Sequence, residues 1–250
     1  MIEVSILGSG NIAQHLIAAF SNNPNIWLKQ VFARNPNKLA HYISADKLTD
    51  DISKLVDADL FIIAVSDHAI VEVASQLPFG NKLVAHTAGS VPLEALGKNN
   101  RAASFYPLQT FSKDKAVNWQ QIPICLEAQN KSDLAVLYKL ATALSGHVIE
   151  VDSNSRLALH TAAVFVCNFV NHLYACGANI CRENQLDFNL LHPLIIETAD
   201  KIRSMTPEAA QTGPASRGDE VTVKKHLNFL DKRPEKKLYE ILTEAIQEKL

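Results

Sequence analysis

Six residues near the amino terminus, Gly8-Ser9-Gly10-Asn11-Ile12-Ala13, constrain the fold of this 250-residue chain more than any other stretch. They follow Ile2-Glu3-Val4-Ser5-Ile6-Leu7, a short apolar run that reads as a buried strand. They open the segment Ile12 to Phe20, which reads as a helix. A G-x-G-x-x-A turn between strand and helix is the pattern of a dinucleotide-binding turn. Gly8 permits the tight bend, Gly10 brings no Cβ against a pyrophosphate, and Ala13 lets the helix pack close on the strand. Free N–H groups and the helix dipole favour phosphate at that end, with Ser9, Asn11 and Ile12 completing the lining. The competing reading is a glycine turn that holds nothing.

The second strand pattern, Trp27 to Ala33, sharpens the choice of cofactor. A ribose 2′-OH is usually held by an acidic residue near the end of this strand. No Asp or Glu occurs between Glu3 and Asp46. The strand instead ends in Arg34-Asn35, with Lys38 one turn on. A guanidinium suits a 2′-phosphate, so this arrangement predicts NADP(H) rather than NAD(H). Otherwise Arg34 and Lys38 are solvated surface charges.

The first half alternates strand and helix patterns. Strands are predicted at 2–7, 27–33, 59–65, 82–86 and 101–105, with further ones at 122–127 and 147–151. Helices are predicted at 11–22, 36–44, 68–77 and 131–145. Short apolar strands alternating with helices imply βαβ units and a doubly wound, mostly parallel sheet. After Asp152 the strand signal ceases. One long helix is predicted at 153–184, and others at 187–204, 220–230 and 234–249. The division is therefore a nucleotide-binding domain at 1–151 and an all-helical dimerisation and substrate domain at 152–250.

From Leu157 to Cys181 the long helix carries no Asp, Glu, Lys or Arg. Its length suffices for a membrane span. His160, Asn168, Asn171, His172 and Asn179 argue against one, because each needs a polar partner in lipid. A helix buried by its own domain and by a partner subunit fits better. A net charge of −2 gives no reason to expect nucleic acid. Residues 1–30 show neither a basic n-region nor a cleavage signal, which predicts a cytoplasmic protein. The four cysteines form no zinc framework and read as reduced, structural thiols, and no metal site is expected.

Ligands on such sheets bind beyond the carboxyl ends of the strands. Three loops qualify: Gly8 to Ala13, Val65 with Ser66-Asp67-His68, and His86-Thr87-Ala88-Gly89-Ser90. Val65, Ser66 and His86 are candidates to touch the cofactor, and Ser90 to act in catalysis. Ser, Asp and Thr are also ordinary turn residues, and Asp67 reads better as a helix cap. On the long helix, at about 100° per residue, Arg156, His160, Val164, Cys167 and Asn171 fall in one sector with Asn168 at its edge. A polar stripe on an uncharged helix needs partners. A cleft between the domains would supply them, with His160 as proton donor and Asn171 toward substrate. The alternative is a core histidine bonded to a carbonyl. In the loop Thr212 to Asp219, Asp219 is placed to cap the next helix. Arg217 there is placed to bind a substrate carboxylate or to close the loop by an ion pair.

Gly8 to Ala13, His86 to Ser90, Tyr106-Pro107-Leu108-Gln109-Thr110-Phe111, His160 to Asn168 and Gly213-Pro214-Ala215-Ser216-Arg217-Gly218-Asp219 occur here in one order. Through them the chain resembles, along nearly its whole length, a bacterial family of Rossmann-like proteins assigned as NADP oxidoreductases, with a C-terminal helical domain of unknown function. It is more distantly similar to pyrroline-5-carboxylate reductase and to hydroxyisobutyrate and 6-phosphogluconate dehydrogenases. The resemblance implies a helical second domain, a homodimer built on the long helix, and His160 and Asn168 at the site. Ala88 stands where the family usually has Ser. The hydroxyacid dehydrogenases use a Lys with an Asn four residues on, and the long helix here has no Lys, so that mechanism does not carry over. The expectation is an NADP(H)-dependent oxidoreductase for a small polar carbonyl or imine compound. Its rival is a non-catalytic NADP(H)-binding sensor or regulator.

Overall fold

In the computed structural model, which describes residues 1–113 and 115–248, eight strands form one sheet. They are β1 (Ile2–Leu7), β2 (Ile26–Phe32), β3 (Leu48–Thr49), β4 (Leu60–Ile63), β5 (Leu83–His86), β6 (Arg101–Pro107), β7 (Ile124–Ala128) and β8 (Val148–Glu150). The order is β3-β2-β1-β4-β5-β6-β7-β8. Neighbours are parallel except β6 and β7, which run antiparallel from Pro107↔Ile124 to Ala103↔Ala128. This is a Rossmann-like, doubly wound, mostly parallel sheet.

Alternation along each strand explains why both faces are covered. Val4 and Ile6 of β1, with Leu60 and Ile62 of β4, enter one apolar layer. It is closed by Leu16, Ile17 and Phe20 of α1 (Asn11–Ser21) and Leu137 and Leu140 of α3 (Lys131–Thr142). Leu7, Phe61 and Ile63 enter the other, closed by Ile70 and Ala74 of α2 (Ile70–Ser75) and by the 3-10 turn Leu93–Leu96. Each large side chain withdrawn from water contributes roughly 1.5–3 kcal/mol. Strands buried on both faces must read as continuous apolar runs, and these do. The chain leaves β1 toward β2 and returns on its other side as β4. The crevice for a ligand therefore opens beyond the carboxyl ends of β1 and β4.

Several predicted elements differ. The helix expected at 36–44 is a 3-10 turn, Pro36–Leu39, with Leu39 buried and Tyr42 and Ile43 beyond it packing against the core. The segment 68–77 opens as a 3-10 turn, Asp67–Ala69, before α2. The helix expected at 187–204 is a 3-10 turn, Phe188–Leu191, followed by α6 (His192–Lys201). β3 is two half-buried residues, too short for a periodic signal.

The long helix is interrupted. It runs as α4 (Ser153–Ala163), a π-helical segment Val164–Phe169, and α5 (Val170–Glu183). A π turn bonds i to i+5 and so unwinds the helix locally. The sector computed for a regular helix therefore fails beyond Val164. Of the burial expected from its own domain and a partner subunit together, this chain by itself supplies little. Only Arg156 and Cys181 are buried along it, while Phe165, Val166 and Phe169 are more than half exposed. It is the one helix among the described residues long and apolar enough to cross a membrane.

Contacts divide the chain into two units, Met1–Asn168 and Phe169–Leu250. The first thus includes α4 and most of the π segment, beyond the change at 151/152 seen in the sequence. In the second unit the described residues form α5, α6, α7 (Pro207–Ala210), α8 (Glu220–Phe229) and α9 (Glu235–Gln247). Asp219 caps α8 as expected, accepting the Thr222 N–H at 3.0 Å and the Thr222 hydroxyl at 2.7 Å. That double bond also holds the Asp219 carboxyl below the usual range. His226 Nδ1 and the Tyr239 hydroxyl, 2.8 Å apart, link α8 to α9.

Candidate active site

Beyond the carboxyl ends of β1 and β4 lies a cavity of about 510 Å³. Its wall includes Gly8, Ser9, Gly10, Asn11 and Ile12 from the glycine turn, Arg34 after β2, and Val65 and Ser66 after β4. The two glycines act differently. Gly8 has φ +143°, and a Cβ there would lie 2.1 Å from the Ala64 carbonyl oxygen, so only glycine lets the turn cross so close to β4. Gly10 has an ordinary φ of −72°, and a Cβ on it would meet nothing within 4 Å. Its bare side faces open space, as a backbone that must receive a ligand requires. Gly10 is also the N-cap of α1 without a side-chain capping bond, and the first turn holds no acidic residue. The positive end of the helix is thus left to an outside anion. These features fit a dinucleotide, whose phosphates the turn would hold.

Of the other residues assigned to the cofactor, Ala13 is fully buried and serves helix packing. Asn35 precedes the Pro36–Leu39 turn without a side-chain capping bond and Lys38 lies exposed on it; neither lines the cavity. His86 is fully buried under the β5 loop rather than in the cavity wall. Its Nδ1 accepts the Ala88 N–H at 3.2 Å, and its Nε2 has no partner. Burial, helped by the Arg156 charge, pushes its pKa down to about 4, so the ring is neutral at physiological pH.

Sequence reasoning missed Phe111 as a wall residue. The segment after β6 crosses to α1, where Asn11 Nδ2 donates to the Phe111 carbonyl at 2.9 Å. His15 Nε2 lies 2.9 Å from the Ser112 carbonyl, and its ring meets that of Phe111 at a 50° tilt with centroids 5.1 Å apart.

A second constellation forms beyond β5 and β6. The Ser90 hydroxyl donates to Asp67 at 2.6 Å, tying the β5 and β4 loops together. Asp67 therefore does not cap a helix; its carboxylate is taken by Ser90, and Ser66, at the cap position, makes no capping bond. Gly89 backs directly onto His160. A Cβ on Gly89 would lie 2.6 Å from His160 Cγ and Nδ1. The same Nδ1 is 3.0 Å from the Tyr106 hydroxyl, with the two rings edge to face at 6.0 Å. Tyr106 is 8% exposed. Burial, with smaller contributions from Cys125 and Asp67, pushes its phenol up to about 12. His160 thus sits at the carboxyl edge of the sheet, as does the glycine turn, and its alternative reading, a bond to a backbone carbonyl, is not what the structure shows.

One turn before His160, Arg156 is fully buried. It pairs with Glu127 of β7 and donates to the Val91 carbonyl at 2.6 Å and the Ser153 hydroxyl at 3.1 Å. Glu127 also accepts from Ser153 Oγ at 2.8 Å. This pair bolts α4 to β7 and so fixes the register of His160 over Gly89. A lone acid in the apolar strand pattern Ile122 to Glu127 is the signal that sequence reasoning passed over.

Asn168 is exposed within the π segment. Asn171 and Arg217 belong to the second unit and are exposed there. No group of three His, Cys, Asp or Glu able to hold a metal occurs among the described residues.

Comparison with known proteins is consistent with this architecture. Residues 122–246 match the family model described as "Domain of unknown function (DUF2520)". No curated protein matches. A solved structure from Bacteroides fragilis, provisionally named an NADP oxidoreductase, is 37% identical with a TM-score of 0.90, covering 99% of this chain and 98% of its own. An imine reductase variant from Myxococcus stipitatus, solved with NAD+, shares the fold at TM-score 0.63 and 15% identity, with 99% and 93% covered. So does 1-pyrroline-5-carboxylate reductase from Streptococcus pyogenes, at 0.64 and 13%, with 99% and 97% covered.

Proposed function

The chain belongs to the DUF2520 family, and we propose that it is a nicotinamide-dependent oxidoreductase acting on a small polar carbonyl or imine compound. The observation that carries this reading is the placement of His160. It is seated against Gly89 at the carboxyl edge of the same sheet whose β1 turn forms the glycine cradle. The names carried by its structural relatives agree with it.

The glycine turn and the uncapped start of α1 would hold the cofactor's phosphates, and Val65 and Ser66 would flank the chain between them and the β5 loop. When bound, the cofactor supplies the hydride. Arg34, in the cavity wall with no acidic neighbour in its strand, favours a 2′-phosphate and hence NADP(H). His160 supplies the proton to the oxygen or nitrogen of the reduced bond. Ser90 acts through Asp67 rather than on substrate, since its hydroxyl is already donated there. Asn168 remains a catalytic candidate beside His160, and Asn171 and Arg217 the candidates for substrate contacts.

We also propose a cytoplasmic homodimer that covers the apolar faces of the 153–184 helix. Val166, at 68% exposed, is among the apolar side chains such a seam would cover.

The test is NADPH oxidation across a panel of imines, keto acids and aldehydes, with His160→Ala as control. Turnover lost in the variant, with NADPH binding kept, is the expected result. Tight NADPH binding with no turnover on any compound would overturn the enzymatic reading in favour of a sensor.

A further inference from the structure

Tyr106 and His160 form an isolated pair. Tyr106 is largely buried, and its hydroxyl's one hydrogen-bond partner among the described residues is His160 Nδ1 at 3.0 Å. A buried hydroxyl proton without an acceptor costs roughly 1–3 kcal/mol, which favours the phenol donating to that nitrogen over the reverse. The phenol is not ionised near neutral pH, because burial holds its proton on. An Nδ1 that accepts carries no proton of its own, and a neutral imidazole must then carry it on Nε2. Gly89 completes the arrangement by pressing on the Cγ–Nδ1 side of the ring, so the ring cannot slide toward β5.

We propose that Tyr106 is a positioning residue that fixes His160 as its Nε2–H tautomer and stands behind it as proton reservoir. Resting on the oxidoreductase reading, the step balances as follows for a carbonyl substrate. As the substrate carbon takes the hydride, the carbonyl π pair moves to oxygen. The His160 Nε2–H bond breaks and an O–H bond forms. Nδ1 takes the Tyr106 proton, leaving phenolate; after product leaves, Nδ1 returns that proton to the phenolate and Nε2 takes one from water, which restores the starting tautomer. An alkoxide is a stronger base than phenolate, so the transfer runs downhill even from a phenol that burial has made weakly acidic.

The tautomer is measurable without any substrate. In protein labelled with 15N-histidine at pH 8, the His160 signals are identified by their loss in His160→Gln. The expected spectrum shows a protonated Nε2 and an acceptor-type Nδ1. Tyr106→Phe, nearly the same shape, should convert this to a tautomer mixture while NADPH affinity stays within about twofold. On any compound that turns over, its kcat should fall at least tenfold, a part of the roughly 10²–10⁴-fold that acid–base catalysis contributes, since His160 itself remains. A wild-type spectrum with the proton on Nδ1, or an unchanged spectrum in Tyr106→Phe, overturns the inference whatever the activity. The expected tautomer without turnover on any compound would instead leave the lock standing and sink the oxidoreductase reading.

Discussion

Alanine at Gly10 and alanine at Gly8 should fail in opposite ways, although the two positions sit in one turn. At Gly10 the backbone angles suit alanine and the added Cβ meets nothing within 4 Å. Alanine is a poorer N-cap than glycine, at up to about 1 kcal/mol, but it also narrows the unfolded ensemble by roughly 0.4–1 kcal/mol. The two nearly cancel, so the melting temperature should move little. Yet the new methyl occupies the side that a diphosphate must approach. Loss of one charge-assisted N–H bond is worth about 1.5–3 kcal/mol, or roughly 10–100-fold in affinity. At Gly8 the Cβ would stand 2.1 Å from the Ala64 oxygen and 2.7 Å from its carbon, at φ +143°. Neither backbone atom can yield without moving β4, so the destabilisation should exceed about 4 kcal/mol. NADPH fluorescence titration and thermal melts separate the two. A Gly10→Ala protein that binds NADPH as tightly as wild type would refute the cradle. One that melts as early as Gly8→Ala would show that its side chain does not face open space.

Further outcomes follow from other contacts. Arg34→Ala should weaken NADPH binding by roughly 10–100-fold and leave NADH binding unchanged, by the value of a charged hydrogen bond; equal loss for both would remove Arg34 from the 2′-phosphate. Glu127→Gln should destabilise by about 3–5 kcal/mol in chemical denaturation, because it leaves buried Arg156 uncompensated. His86 binds no proton in the fold until about pH 4, whereas unfolded histidine binds one near 6.5. Below pH 6.5 the unfolded state therefore holds the extra proton, and stability falls as pH drops toward 4, by about 3 kcal/mol in all. His86→Asn should flatten that stretch of the stability profile, and an unchanged slope would assign the loss elsewhere. Val166→Glu should shift the protein to monomer in sedimentation velocity if the exposed helix face is the dimer seam; an unaltered mass would remove Val166 from any such seam.

What the sequence conveyed and what it withheld have separate physical causes. Strands buried on both faces have no choice but to be apolar runs, so β1, β4 and β5 announced themselves. The glycine turn did too, because a crossing 2.1 Å from where a Cβ would stand tolerates no other residue at Gly8. Arg34 was readable from what its neighbourhood lacked. The site beyond β5 was legible only as parts. His160 stood out as the histidine nearest a strand-rich domain on an uncharged helix, but its partner lies 54 residues away on β6. No local pattern encodes that distance. Gly89 looked like turn chemistry, whereas its missing side chain makes room for an imidazole from another element. Glu127 looked like a strand end, whereas it anchors the arginine that sets the helix register.

The π segment marks the sharpest limit. A sector drawn at constant twist grouped His160 with Asn168 and Asn171, but Asn168 lies within the six residues of altered twist at Val164–Phe169 and Asn171 beyond them. Sequence periodicity senses the average turn of a helix, not one local change in its winding. The residues up to His160 are held by ion pair, hydroxyl and close packing, all within one compact unit. Those beyond it begin the second unit at Phe169. On the proposed function, proton chemistry at His160 would depend on contacts the first unit makes by itself, and the proposed substrate contacts Asn171 and Arg217 belong to the second unit. Substitutions at Gly89, Tyr106 or Glu127 should accordingly lower turnover on every substrate alike, while substitutions at Asn171 or Arg217 should change the ranking of substrates. A uniform loss from Arg217→Ala across the whole panel would break that division.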